Sequence, residues 1–99
     1  MATPADVRHD ARRGRFELDM DGETAHVEYR RDGDTMVILH TIVPEALSGR
    51  GIAGTLNAAA LGHAREAGLQ VDPQCEYTAS YVRRHPGYDD LLVGGDRSS

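Results

Sequence analysis

The chain has 99 residues, of which 39% are hydrophobic and 27% charged, and this composition predicts one globular domain over residues 1–99 with a flexible tail at about 94–99. A formal net charge of −5 argues against a general nucleic-acid binder, because such proteins need a basic surface. A single cysteine excludes an internal disulfide framework. The absence of a long apolar run predicts a soluble, cytoplasmic protein without a membrane partner.

The first half of the chain has the pattern of three antiparallel strands, between about residues 13 and 43. Apolar and polar residues alternate in residues 15–20, and again in residues 24–30, which is typical of strands with one buried face. Asp-Gly pairs at 21–22 and 32–33 predict the connecting hairpin turns. Residues 36–43 are apolar on both faces, so we expect a central strand that is covered on both sides.

The second half predicts two helices that flank a short strand. From Ile52, apolar residues recur at helical spacing until Gly68, where the helix should end. Residues 69–73 predict a fourth strand, which should run parallel to the third because a helix connects the two. A C-terminal helix is expected from Tyr77 to His85, before Pro86. The fold class is therefore α/β, with an α+β mixed sheet.

Between the third strand and the first helix lies a glycine-rich loop, Gly49-Arg50-Gly51-Ile52-Ala53-Gly54. Its spacing matches the dinucleotide-binding fingerprint, but a meander precedes it and too little chain follows for that fold. A P-loop is excluded because no Gly-Lys-Ser/Thr follows. Two interpretations remain: the glycines only form a turn, or the free amides at the helix start bind a phosphate group.

The loop and its flanks resemble the GNAT-type N-acetyltransferases, specifically their short YjdJ-like members. The resemblance rests on "HTIVP" before the loop, on "GRGIAGTL" within it and on "YVRRHPGY" near the C-terminus. It implies an acetyl-CoA site, with the strand residues Thr41, Ile42 and Val43 along the pantetheine. The pyrophosphate would then lie on Ser48, Gly49, Arg50, Gly51, Ile52, Ala53, Gly54 and Thr55. Ser48 departs from the usual Gln or Arg, so Arg50 is expected to replace a phosphate contact. The Arg83-Arg84 pair is either a further cation for the phosphate or part of a solvated helix face.

Acetyl transfer to an amine needs a base, donors for the oxyanion and a proton for the departing thiolate. His40 is suited to act as the base, and strand alternation predicts that it shares a face with Ile38 and Ile42. In similar short proteins a cysteine at the position of Cys75 flanks the thioester together with this histidine. Many GNAT enzymes place a thiolate-protonating tyrosine where Tyr81 lies. Each residue also has a simpler interpretation as core packing, and for Cys75 a covalent acetyl intermediate stays open beside direct transfer.

The sequence therefore predicts a minimal N-acetyltransferase that transfers acetyl from acetyl-CoA to a primary amine. A non-catalytic acyl-CoA-binding or sensing module is the alternative, and a bare structural domain is the third interpretation. The other histidines lack the spacing of metal ligands, so no metal is expected. A monomer or weak homodimer is expected, and the acceptor amine is not identified by the sequence.

Overall fold

The computed structural model describes residues 6–93, and the predicted tail at 94–99 lies outside the described residues. The elements in chain order are β1 Arg8–Asp10, β2 Arg15–Met20, β3 Glu23–Asp32, β4 Thr35–Ile42, α1 Ile52–Ala67, β5 Gln70–Pro73 and α2 Glu76–Arg84. Short 3₁₀ turns occupy Glu45–Leu47 and Pro86–Leu91. The strands form one mixed sheet in the order β1-β2-β3-β4-β5.

The predicted mixed α/β architecture is confirmed. Strands β1 to β4 pair antiparallel, whereas β4 and β5 pair parallel across the α1 connection. Leu92 forms a parallel bridge with Val71, and the Val93 amide donates to the Val71 carbonyl at 2.9 Å. The chain after α2 therefore returns to β5 and satisfies part of its outer edge.

One face of the sheet carries the core, and α1 packs across it against β2, β3 and β4. Leu56, Leu61 and Ala64 of α1 are fully buried there, because apolar residues recur on one side of the helix. The buried side chains of the sheet face them: Phe16, Leu18, Ala25, Val27, Tyr29, Met36, Ile38 and Val71. The opposite face, which we call the outer face, carries charged and polar side chains on β2 and β3.

Strand β1 is absent from the sequence prediction. Its residues Arg8, His9 and Asp10 are polar, so the strand has no alternation that could reveal it. The structure holds it by a ring cluster instead: the His9 imidazole stacks on Phe16 with centroids 4.1 Å apart and hydrogen-bonds the Tyr29 hydroxyl. Burial of the His9 imidazole lowers its pKa, and the nearby His63 lowers it further. The neutral form of His9 is therefore favoured in this cluster.

Strand β4 is a central strand, but only its first half is covered on both faces. Met36, Val37 and Ile38 are buried, whereas Ile42 is 50% exposed. The register with β3 shifts here, since Tyr29 pairs with Ile38 and Glu28 pairs with His40. Leu39 is thus the additional residue of a β-bulge, and the bulge exchanges the faces of all later residues of β4.

Gly14 fixes the turn between β1 and β2 against β3, and its substitution should be costly. Its φ is +69°, and a Cβ there would lie 2.3 Å from the Tyr29 carbonyl oxygen. We expect Gly14→Ala to lower the free energy of unfolding by about 2–5 kcal/mol, from αL strain together with overpacking.

Gly33→Ala is the matched control, because Gly33 has a φ of +61° but nothing within 4 Å of a Cβ. Its free energy of unfolding should fall by only about 1–2 kcal/mol, the cost of the left-handed conformation alone. Denaturant unfolding of the wild type and the two variants measures both losses of unfolding free energy. Equal losses would contradict the close approach of Gly14 to the Tyr29 carbonyl.

Candidate functional site

The site begins where β4 and β5 separate. Their parallel pairing ends at Ile38 and Pro73, and the Cys75 amide then donates to the Ile38 carbonyl at 2.9 Å. Cys75 is the N-cap of α2, so the chain leaves the sheet at this point. Residues 39–42 of β4 continue past the end of β5, and their backbone edge faces the space beside α2 instead of another strand.

The glycine loop delivers the start of α1 to the same end of the sheet. Gly49 and Gly51 have φ values of +81° and +73°, a conformation that other residues rarely adopt. Gly51 is the N-cap of α1, and no side chain of the described residues caps the helix there. The first helical bond of this turn joins the Thr55 amide to the Gly51 carbonyl, which leaves the amides of Ile52, Ala53 and Gly54 as donors for another partner.

A cavity of about 300 Å³ opens between this loop and α2. The lining residues come from the end of β4, from the loop and from both helices: Val43, Leu47, Ser48, Gly49, Gly51, Ile52, Ala53 and Tyr77. A Cβ on Gly51 would meet nothing within 4 Å, so the backbone is open to the space beside it. The helix dipole and the first-turn amides make this end of the cavity attractive to an anion.

Four predicted phosphate-binding side chains have partners within the protein, among them Thr55, whose hydroxyl donates to the Gly51 carbonyl at 3.2 Å. Arg50 Nη1 lies 2.6 Å from Asp21 Oδ2, so the loop is tied to the β2–β3 turn. The Ser48 hydroxyl donates to the Glu45 carbonyl at 2.9 Å. Arg84 lies exposed in the last turn of α2 and donates to the Ser80 carbonyl of its own helix at 3.4 Å. The cavity is thus built mainly from backbone and apolar groups.

Cys75 lies beside the gap between β4 and α2 and belongs to a polar network inside the core. Its sulfur is 3.4 Å from Thr41 Oγ1, and the residue is 8% exposed. Asn57, which is fully buried on α1, donates from Nδ2 to Thr41 Oγ1 at 3.2 Å and to the Ala53 carbonyl at 2.9 Å. The Thr78 hydroxyl donates to Asn57 Oδ1 at 2.5 Å. The network joins β4, α1 and α2 at the sulfur.

Hydrogen bonding makes the thiol of Cys75 more acidic than an ordinary thiol. Burial raises its pKa, but hydrogen bonding to Thr41, Thr78 and Tyr77 outweighs this effect, so that the pKa is lowered. Among these partners the Thr41 hydroxyl has the largest effect, and its Oγ1 lies 3.4 Å from the sulfur. A lowered pKa favours the nucleophilic thiolate form.

His40 lies on the opposite face of β4 from Cys75. The prediction that His40 shares a face with Ile38 was therefore wrong, although His40 does share a face with Ile42. The bulge at Leu39 places His40 on the outer face with Glu28 and Ile42, opposite to Ile38. The His40 side chain is exposed, so a core role is also wrong. His40 and Thr41 are neighbours in the chain, however, so the imidazole flanks the same stretch of β4 as the thiol network.

Tyr81 and Tyr77 lie on the side of α2 that faces the first turn of α1. A Cβ on Gly54 would lie 3.4 Å from the Tyr77 hydroxyl and 3.7 Å from the Tyr81 ring, so Gly54 allows the two helices to approach closely. Burial, together with Tyr88, raises the pKa of Tyr81, so its hydroxyl is a proton donor at neutral pH. Tyr81 also stacks on His85 with centroids 4.1 Å apart.

Sequence reasoning missed Asn57, Thr78 and the contribution of Tyr77 to the cavity. Asn57 offered one signal: it is a polar residue between Leu56 and Ala60 in the buried stripe of α1. A buried amide must find hydrogen-bond partners, so this position predicts a polar contact with neighbouring elements. The partners themselves come from β4 and α2, and only the folded structure identifies them.

Within residues 6–93, no group of three or more His, Cys, Asp or Glu side chains is arranged to hold a metal ion. Within the same residues, no helix is both long and apolar enough to cross a membrane.

Comparisons with known proteins establish the family and the fold of the chain. Residues 15–91 match the family model of the GCN5-related N-acetyl-transferases. The chain is 40% identical to human Protein NATD1 over 86 residues, which cover 84% of this chain and 76% of that protein. It is 35% identical to zebrafish (Danio rerio) Protein NATD1 over 98 residues, which cover 94% and 89% of the two chains.

Among solved structures, the fold resembles the NMR solution structure of a GCN5-like protein from Staphylococcus aureus. The TM-score is 0.72 at 24% sequence identity, and the match covers 96% of this chain and 94% of that chain. A match at this identity establishes the shared fold, and the family model adds the sequence evidence. The chain belongs to the GCN5-related N-acetyltransferase family.

Proposed function

We propose that the protein binds acetyl-CoA and transfers its acetyl group to a primary amine. The observation that carries this proposal is the uncapped N-terminus of α1, which opens on the 300 Å³ cavity beside the separated end of β4. Family membership supports acyl transfer in general. The proposal adds the assignment of the ligand to this cavity.

The residues present fit a CoA pyrophosphate. The amides of Ile52, Ala53 and Gly54 can donate to phosphate oxygens, and the absence of a side chain at Gly51 leaves room for them. Arg50 is paired with Asp21 through Nη1, so its remaining N–H groups are the ones available to a phosphate. Val43 and Leu47 give the cavity an apolar wall next to these amides, which suits the alkyl parts of the pantetheine arm.

The free backbone edge at residues 39–42 of β4 can hydrogen-bond the amide groups of the pantetheine, as an added strand would. This path leads from the start of α1 toward Cys75, so the thioester would lie near the thiol network. The amine would then approach from the outer face, where His40 is exposed.

In direct transfer, His40 removes a proton from the amine, and the amine nitrogen attacks the thioester carbonyl. The carbon–sulfur bond then breaks and the CoA thiolate leaves, with Tyr81 as the proposed proton donor. In the covalent route, the Cys75 thiolate attacks the thioester carbonyl and the CoA thiolate leaves; the deprotonated amine then attacks the acetyl-Cys75 thioester and releases the Cys75 thiolate. The lowered pKa of Cys75 supports the covalent route, and the exposed position of His40 supports the direct one.

A non-catalytic acyl-CoA-binding module is the second candidate. It is favoured by one observation: the Cys75 thiol network lies inside the core, whereas His40 lies on the outer face of β4. A sensor needs only the phosphate and pantetheine contacts, so CoA would bind equally well without turnover.

Substitution of Gly51 tests the binding site. At 100 times its dissociation constant, a ligand specific for the native state adds about 2.7 kcal/mol, which for a domain of this size raises Tm by about 10–20 °C. We expect CoA to produce this shift in the wild type and to produce none in Gly51→Val, whose side chain would occupy the phosphate position.

Gly33→Val is the control, because Gly33 also has a positive φ and open space but lies in the β3–β4 turn. It should lose stability by a similar amount and keep the shift with CoA. A normal shift in Gly51→Val would refute the loop assignment, and no shift in the wild type would refute the proposed ligand.

His40→Ala tests the base. Because general-base catalysis contributes about 10²–10⁴-fold, turnover of acetyl-CoA with an accepted amine should fall at least about 100-fold while the dissociation constant of CoA stays unchanged. His26→Ala is the matched control, since His26 lies on the same outer face opposite Ile42. Equal losses in the two variants would reject a specific role for His40.

Intact mass after incubation with acetyl-CoA tests the covalent route. The sequence contains no lysine, so lysine acetylation cannot contribute to the signal. We expect an acetyl adduct in the wild type that is absent from Cys75→Ser and released by hydroxylamine. An adduct that persists in Cys75→Ser would exclude Cys75 as its carrier.

A further inference from the structure

The direction of each hydrogen bond around Cys75 follows from chemistry alone. The Ala53 carbonyl can only accept, so the side-chain atom of Asn57 that faces it at 2.9 Å must be the Nδ2 donor. This fixes the orientation of the whole amide: Oδ1 points to Thr78, and the second hydrogen of Nδ2 points to Thr41 Oγ1 at 3.2 Å.

Thr41 then has one arrangement that satisfies all its neighbours. Its oxygen accepts from Asn57, and its single hydrogen is available for Cys75 Sγ at 3.4 Å; when the sulfur is a thiolate it can only accept, so Thr41 must be the donor. Thr78 lies beside the sulfur as well, but its only hydroxyl hydrogen is committed to Asn57 Oδ1 at 2.5 Å. Thr41 is therefore the side-chain donor that the network directs at the sulfur.

We propose that Asn57 and Thr41 are positioning residues, which form a one-directional relay that holds a hydroxyl donor on Cys75 Sγ and favours the thiolate form of the sulfur over the thiol. Asn57 is fully buried and all three of its polar contacts are made, so the relay is rigid. It also links the first turns of α1 and α2 through one amide, which couples the phosphate end of the cavity to the thiol end.

The charged and titratable groups around the sulfur do not replace this donor. On β4 the bulge turns His40 to the opposite face. On α2, Glu76 is exposed, while Tyr77 and Tyr81 face the first turn of α1. On α1, the residues at the network are Ala53 and Asn57, which carry no charge.

This inference concerns the same site as the proposed function, but its test needs no CoA, so the two fail separately. Cys75 is the single cysteine of the chain, and thus the ultraviolet absorbance of the thiolate, with Cys75→Ala as baseline, reports on this sulfur alone. Titration with pH gives the thiolate fraction directly, whether or not a reagent can reach the buried thiol.

Thr41→Val removes the hydroxyl and keeps the shape of the side chain. We expect the thiolate fraction at neutral pH to fall about tenfold, the effect of losing one hydrogen bond to a charged group. Thr41→Ser keeps the donor and should titrate like the wild type. Thr24→Val is the control, because it removes an exposed threonine hydroxyl that bonds Asp19 on the β2–β3 hairpin, on the opposite face of the sheet from the thiol network.

Two results would overturn the relay. One is a wild-type titration curve in folded Thr41→Val. The other is a Thr41→Ser curve that resembles that of Thr41→Val, since the methyl group would then be responsible. If Thr41→Val does not fold, Thr41→Ala makes the same comparison, because it removes the hydroxyl without placing a larger apolar group beside Asn57.

Discussion

One hydrogen bond defines the site: the Cys75 amide donates to the Ile38 carbonyl at the last position where β4 and β5 run together. Beyond this bond the chain leaves the sheet as α2, and β4 continues with an edge that no strand pairs. A closed parallel pair would bury that edge and fill the space with side chains. The separation instead leaves a slot beside the free edge of β4: Cys75 lies at its start, and the cavity lined by the glycine loop and Tyr77 opens at the same end of the sheet.

The bulge at Leu39 determines which chemistry lies on each side of this slot. Without it, simple alternation would place His40 in the core with Ile38 and would turn Thr41 outward. With it, a hydroxyl points inward to Cys75 and Asn57, and an imidazole stays in water. One inserted residue thus separates a buried, hydrogen-bonded thiol from an exposed imidazole by the thickness of a single strand.

The sequence was sufficient for the elements with strong periodicity. Residues 15–20 and 24–30, the helix from Ile52 to Gly68 and the parallel strand before Pro73 follow from alternation, helical spacing and chain connection, and the structure confirms them. Strand β1 was missed because it is held by ring contacts of His9 with Phe16 and Tyr29, which are distant in sequence. The predicted face of His40 was wrong because a β-bulge depends on pairing with the neighbouring strand, and no local sequence pattern marks the bulge. For the same reason the Asn57 network required the assembled fold.

The ion pair between Arg50 and Asp21 has a kinetic consequence. The guanidinium closest in sequence to the first-turn amides of α1 is paired with a carboxylate 2.6 Å away, on a chain whose net charge is −5. A polyanion such as the proposed CoA ligand is therefore repelled at long range, and its recognition would rely on short-range contacts with backbone amides. Salt screens this repulsion, so association should be slow at low ionic strength and faster as ionic strength rises, the reverse of the steered capture typical of sites lined with basic side chains.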